Sequence, residues 1–194
     1  YNTPITDIHT HLYSADFDKL LLKGMDELLC YHYLVAEGVR QMDKSPQQFY
    51  LLSKQEQAEE IWASLFVKNS PVSEASRGVL TILSSLGADF RNKELSSYRD
   101  FLDQESKAGI IDRVFQVTNL SSVVMTNDPF DEVEKQVWEG NGNTDSRFKS
   151  SLRIDSLLND WSKAVKNLKD RGYRVNESLS NDSIEELKNF LREW

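Results

Sequence analysis

The sequence predicts an α/β fold that is mostly helical: the first strands of a (β/α)8 barrel, interrupted after strand 1 by a large helical insertion. Three observations predict it. A short β-branched strand opens the chain, about 100 residues of helical spacing follow without a strand signal, and a strand, helix, strand, helix alternation ends it. That last rhythm is the one a parallel sheet imposes. At 194 residues the chain can bury a full core, yet it falls short of the about 250 residues that a complete barrel needs. The expected organisation is residues 1–16 as first strand and following loop, 17–118 as helical insertion, and 119–194 as second and third βα units with a final helix.

Composition narrows the function classes. The chain carries 23 Lys and Arg against 31 Asp and Glu, a net charge of −8. Such a balance argues against a nucleic-acid partner and against adsorption to anionic lipid, both of which need clustered cations. Mean hydropathy is −0.53, and no long apolar run predicts a membrane span. The one cysteine, Cys30, permits no internal disulfide, which fits a reducing compartment and a cytoplasmic location. Tyr1-Asn2-Thr3-Pro4 has neither an initiator Met nor the basic and apolar regions of a secretory signal, so further sequence upstream is expected.

Each element has a local cause. Pro4 to His9 is short and β-branched after a proline, as a first strand should be. Leu20, Leu21, Leu28, Leu34 and Val35 then form a helical stripe with possible breaks at Gly24 or Gly38. Ser53-Lys54-Gln55-Glu56 is a capping box ahead of Ala58, Ile61, Trp62, Leu65 and Phe66. Ser70-Pro71 reads as N-cap and first helical residue, with Gly87 ending the apolar run through Val79, Leu80, Ile82, Leu83 and Leu86. Two amphipathic segments follow, near Leu95 to Leu102 and Ile110 to Val117. Ser121 to Thr126 reads as a buried strand closed by Asn127-Asp128-Pro129. A helix is expected from Asp131 to Trp138, a loop at Gly140-Asn141-Gly142-Asn143, a strand from Phe148 to Ile154, and a helix from Leu157 to Leu168 ending near Gly172. Asp182-Ser183-Ile184-Glu185 opens a last helix whose apolar positions Ile184, Leu187, Phe190 and Leu191 lead to Trp194 with no stop signal.

The three histidines, His9, His11 and His32, all fall within the first 32 residues. His9 and His11 are two apart on a strand, so their imidazoles project from one face at a separation suited to one divalent metal, with Zn²⁺ favoured by nitrogen ligands. Asp7 just before them is placed to support the pair. The alternative is a packed His9 and a surface His11. His32 and Tyr33 sit on a helix, where Tyr33 is either a donor to a substrate oxygen or a core aromatic. Asp128 and Arg153 stand at the ends of the next two strands, where a parallel barrel keeps its working groups. Arg153 suits a carboxylate substrate through its planar fork, and the competing roles are a turn cap for Asp128 and a salt bridge for Arg153. Trp62, Trp138 and Trp161 read as packing residues, and Cys30 as no nucleophile.

In order, Asp7-Ile8-His9-Thr10-His11-Leu12, Tyr31-His32-Tyr33 with Arg40, Thr126-Asn127-Asp128-Pro129-Phe130-Asp131, and Arg153-Ile154-Asp155 resemble the motifs of the uronate isomerase branch of the amidohydrolase superfamily. The resemblance covers nearly the whole chain. It implies the N-terminal portion of a TIM-barrel enzyme that interconverts aldose and ketose uronates through an enediol. It also implies His9 and His11 as ligands of a divalent metal, Tyr33 as a catalytic contact to a reacting hydroxyl, and Arg153, His32 and Asp128 as substrate contacts. Two departures mark a divergent member. The family's later strands, with a further aspartate ligand, have no counterpart here, and Leu12 to Asp16 lacks an additional histidine of typical members. For the 194 residues alone the expectation is weak or absent metal, no activity, and self-association or completion by a C-terminal half. A metal-dependent hydrolase of the same superfamily and a noncatalytic helical partner-binding module are the alternative readings.

Overall fold

The structure, a computed structural model, describes residues 3–89, 91, 93–104, 106–140 and 142–193. Asn141 of the expected loop and the terminal Trp194 lie outside the described residues. The chain divides into two compact units: residues 1–5 with 18–121, and residues 6–17 with 122–194.

The first unit is helical. After a 3₁₀ turn at Ala15–Leu20, which the division crosses, come α1 (Met25–Leu29), α2 (His32–Val39), α3 (Pro46–Tyr50), α4 (Lys54–Trp62), α5 (Glu74–Leu86), α6 (Leu95–Asp103) and α7 (Lys107–Thr118). The capping box before α4 is as expected: Ser53 Oγ accepts the Glu56 amide while the Glu56 carboxylate accepts the Ser53 amide. A second box, Ser45 with Gln48 and Pro46 at the first helical position, opens α3. The apolar run after Ser53 continues from α4 into a π-helical segment, Ala63–Lys68, and Ala58, Ile61, Trp62, Leu65 and Phe66 are all buried.

Two boundaries differ from the sequence expectation. α5 is capped by Ser73, whose Oγ accepts the Ser76 amide, so Ser70-Pro71 lies in the approach and not in the helix. Either serine matches the cap signature, and the same hydroxyl of Ser73 also donates to Glu37, a tertiary bond that selects it. Gly24 does interrupt the early stripe as the N-cap of α1, whereas Gly38 lies inside α2. A Cβ at Gly38 would come within 2.4 Å of Ile61 Cδ1, so its role is to let α2 approach α4 closely.

The second unit carries most of a three-stranded sheet in the order β1 (Ile5–Thr10), β2 (Leu120–Asn127), β3 (Phe148–Leu152). β2 and β3 are parallel, in register from Val123 opposite Phe148 to Asn127 opposite Leu152. β1 and β2 start side by side, with the Ile5 amide donating to Asn119 O and Thr6 Oγ1 3.2 Å from Ser122 Oγ, and so run the same way. β2 is buried as its apolar run predicts, with Val123 and Met125 fully enclosed. β1 is not the buried strand its β-branched residues imply: Ile5 is 50% and Ile8 79% exposed.

Four helices complete this unit: α8 (Glu132–Glu139), α9 (Asp155–Asn159), α10 (Trp161–Asp170) and α11 (Asn181–Glu193). β3 stops at Leu152, short of Ile154, and the helix expected from Leu157 to Leu168 is two. The break falls at Asp160, whose carboxylate caps α10 by accepting the Lys163 amide. Val165, Leu168, Val175 and Phe190 form the local core, with Phe130, Leu157, Trp161, Tyr173 and Leu187 packed against it. No helix among the described residues is long and apolar enough to cross a membrane.

The glycines of α5 give a signed test. Nothing lies within 4 Å of a Cβ built at Gly78 in mid-helix, whereas Gly87 ends the helix at φ 92° with Arg113 Nη2 3.2 Å from its would-be Cβ. Gly78→Ala is expected to raise stability by about 0.5–1 kcal/mol through reduced chain entropy. Gly87→Ala is expected to lower it by about 1–2 kcal/mol through left-handed strain. Urea unfolding of the two variants checks both signs.

Candidate functional site

Parallel strands deliver their C-terminal ends to one edge of the sheet, and in the second unit that edge gathers several of the candidate residues. β1 leads into His11, β2 ends on Asn127 and Asp128, and β3 leads into Arg153 and Asp155.

His9 and His11 emerge on one side of the chain as the two-residue strand period requires. Both are exposed, their ring centroids are 5.5 Å apart and their planes meet at 86°. Two adjacent exposed imidazoles have the donor chemistry that a nitrogen-preferring divalent cation takes. Among the described residues no cluster of three or more His, Cys, Asp or Glu could hold a metal ion. Asp7 Oδ1 accepts the backbone amide of His9 at 3.0 Å, so this oxygen braces the strand and does not orient an imidazole.

Asp128 uses Oδ1 to accept the Phe130 amide at 2.9 Å, and its carbonyl accepts the Asp131 amide. Asp131 caps α8 by accepting the amides of Val133 and Glu134. Asp128 thus has the turn role that is usual for aspartate in such a segment, with its second oxygen left over for other contacts. Arg153 hangs from the last rung of the β2–β3 ladder, its amide donating to Asn127 O at 2.8 Å. Its guanidinium pairs with Asp155, both side chains more than half exposed, and Asp128 and Tyr13 lie within its electrostatic reach.

Three residues here escape a reading of the sequence. Asn127 is fully buried and Glu134 is 4% exposed; Asn127 Nδ2 donates to Glu134 Oε2 at 2.8 Å, and the Asp128 amide donates to Glu134 Oε1 at 3.3 Å. Burial pushes the Glu134 carboxyl above its usual range, Asp131 and Asp128 add to that, and the two hydrogen bonds oppose it. Tyr13, half-buried against Phe17, has its phenol raised by burial and then by Glu134 and Asp131, with Arg153 pulling the other way. The available signals were the period of two that continues from His9 and His11 to Tyr13, and the Asp131-x-x-Glu134 helix start.

His32 and Tyr33 belong to the first unit. They open α2, with ring centroids 4.1 Å apart, and the Tyr31 ring lies 4.3 Å from that of His32 with the planes tilted by 51°. Tyr33 is 63% exposed and lines an open pocket of about 590 Å³ with Ser73, Glu74 and Ala75, so it is no core aromatic. Arg40, at the end of α2, is exposed. The tryptophans do pack: Trp62 stacks on Phe66 and donates to Lys93 O, Trp138 meets Phe17 edge-on, and Trp161 joins the core of the second unit. Burial pushes the Cys30 thiol up to about 11, which leaves it protonated at neutral pH.

The chain matches the crystal structure of a uronate isomerase from Bacillus halodurans C-125 with 49% sequence identity and a TM-score of 0.94. The match covers 100% of this chain and 46% of that one, so the chain spans about half the length of that protein. The resemblance carried by the four motifs is borne out by this full-length match. No protein-family model and no curated protein matches the chain.

Glu134 generates a pH prediction. Its pKa is raised in the folded state above the ordinary 4.5, so between 4.5 and the folded value the native state holds more proton than the unfolded state. Its contribution to stability is therefore fully present below the unfolded pKa and is lost as pH rises through the folded one. Glu134→Gln removes that loss, and the unpartnered Asn127 Oδ1 can turn to accept from the new amide. The stability difference, Gln variant minus wild type, is expected to grow as pH rises above 4.5 and then level off; denaturant midpoints across that range test it.

Proposed function

From the whole-chain match to a uronate isomerase, we propose that the protein containing this chain is a metal-dependent aldose-ketose isomerase acting on a hexuronate of the glucuronate/fructuronate type. The observation that carries this reading is the convergence of His9 and His11 on one side of the β1 end, in a sheet whose β3 end presents Arg153. In the same reading the three strands are the opening of a (β/α)8 barrel, and the strand ends line its working face.

His9 and His11 would hold a divalent metal, Zn²⁺ by ligand chemistry, together with further ligands. When bound, the ion supplies positive charge against the oxygen that turns negative as a carbon-bound proton leaves. Arg153 binds the uronate carboxylate through its fork, which requires its guanidinium to exchange the exposed Asp155 for substrate. Both are solvent-accessible, so the exchange costs little. Asp128 is a further substrate contact, and for Tyr33 and His32 the roles of catalytic contact and substrate contact rest on the motif resemblance alone. The remaining carboxylate oxygen of Asp128 supports its role.

The test is turnover by the whole protein. Glucuronate or galacturonate is expected to yield the ketose, and His11→Ala to cut kcat/KM by roughly 100-fold or more, as loss of a metal ligand should. Arg153→Ala is expected to raise KM by about 10- to 100-fold, the loss of a charge-assisted pair worth about 1.5–3 kcal/mol. Elemental analysis should find about one metal per whole chain and distinctly less on the 194 residues alone. Water-dependent bond cleavage without isomerisation would make the protein a hydrolase, and turnover indifferent to His11→Ala would overturn the metal role.

A further inference from the structure

The turn after β2 contains a carboxylate and a carboxamide that the proposed chemistry leaves unused, both withdrawn from water. Glu134 forms no ion pair among the described residues, and the charges that face it are the carboxylates of Asp131 and Asp128. Burying such a group is costly unless its acceptors are matched by donors. They are matched: one oxygen takes the Asn127 amide group and the other the Asp128 backbone N–H. Those are consecutive residues, so one side chain from α8 clasps the end of β2 at two adjacent points.

What that clasp fixes is the anchor of Arg153. The Asn127 carbonyl accepts the Arg153 N–H at 2.8 Å, one residue beyond the last pairing of β2 with β3, Asn127 opposite Leu152. β3 ends at Leu152, and the Arg153 side chain is exposed and paired with Asp155. The position of its Cα therefore depends on where the Asn127 backbone lies. A displacement of β2's end by an ångström would carry the guanidinium with it, a shift that matters for a bidentate contact.

We propose that Glu134 and Asn127 are positioning residues for Arg153: their buried hydrogen bond holds the end of β2 so that Arg153 presents its guanidinium at the sheet edge. The enzymatic consequence rests on the isomerase reading, but the structural one does not. Glutamate suits the task better than an aspartate would, since its extra methylene lets it reach back from the first turn of α8 to the strand. Glutamine is tolerated, because Asn127 can rotate its amide and accept through the oxygen that now lacks a partner.

Two measurements test the proposal. In the whole protein, Glu134→Ala is expected to raise KM for the uronate by about 10-fold with kcat little changed, and Glu134→Gln to restore near wild-type KM. Added to Arg153→Ala, Glu134→Ala should raise KM by less than about 2-fold, since the contact it positions is already gone. Additive effects, or a fall in kcat at constant KM, would overturn the proposal. Amide hydrogen exchange on the 194-residue chain is independent of turnover. In Glu134→Ala the Arg153 amide should exchange about 10-fold faster, while the Val123 amide, bonded to Arg147 O at the far end of the ladder, keeps its protection. Equal acceleration at both ends, or none at Arg153, would refute it. A wild-type protein inert towards uronates would fail the isomerase reading, and the exchange result would still decide this one.

Discussion

Parallel pairing is the constraint on which the rest of this molecule depends. Once β2 lies alongside β3 in the register that sets Val123 against Phe148, the ends of both strands reach the same edge, and the side-by-side start of β1 and β2 brings His11 to that edge as well. Residues far apart in sequence then share a surface with no need of direct bonds between them. Parallel strands require a crossover between them, and α8 supplies it between β2 and β3. Asp131 starts that helix close to the strand end, and the Glu134 side chain one turn in returns to the strand it left. One segment of 13 residues, from Asn127 to Glu139, thus supplies both the crossover and the clasp on the end of β2.

The edge is electrostatically mixed. Asp155 and Asp128 act on the guanidinium of Arg153, and Glu134 and Asp131 on the phenol of Tyr13. Glu134 is buried and hydrogen-bonded to uncharged donors, so its charge is disfavoured, whereas Asp155 is exposed and directly paired with Arg153. The arrangement separates a carboxylate that braces the backbone from one that rests in solvent against the arginine. An exposed ion pair contributes little to stability and is easily exchanged.

The helical unit has a different logic. Its helices are short and are fixed by caps more than by length, with Ser45, Ser53, Ser73 and Ser106 each accepting an amide from the first turn. Short capped helices let the chain change direction often, and they bring an aromatic cluster, Tyr31, His32 and Tyr33, to the start of α2. Leu34 and Val35 on the same helix are buried, which anchors it while the His32 and Tyr33 rings stay exposed.

The sequence by itself determined the local elements and their chemistry. Period, capping boxes and turn residues are short-range signals, so the first strand, the helices around Ala58 to Phe66 and Val79 to Leu86, the buried run at Val123 to Met125, and the side-by-side projection of His9 and His11 were all legible. Tertiary structure decided matters that depend on neighbours distant in the chain. Ser73 won over Ser70 as a cap because Glu37 waits for its hydroxyl, and Gly38 stayed helical because Ile61 needs the space. β1 lies exposed despite its β-branched residues, since propensity does not say which faces find a packing partner. Asn127 and Glu134 looked like an ordinary turn and an ordinary helix glutamate until burial made each the other's partner. A local pattern can state what a residue prefers, but only packing states which atoms are left to satisfy it.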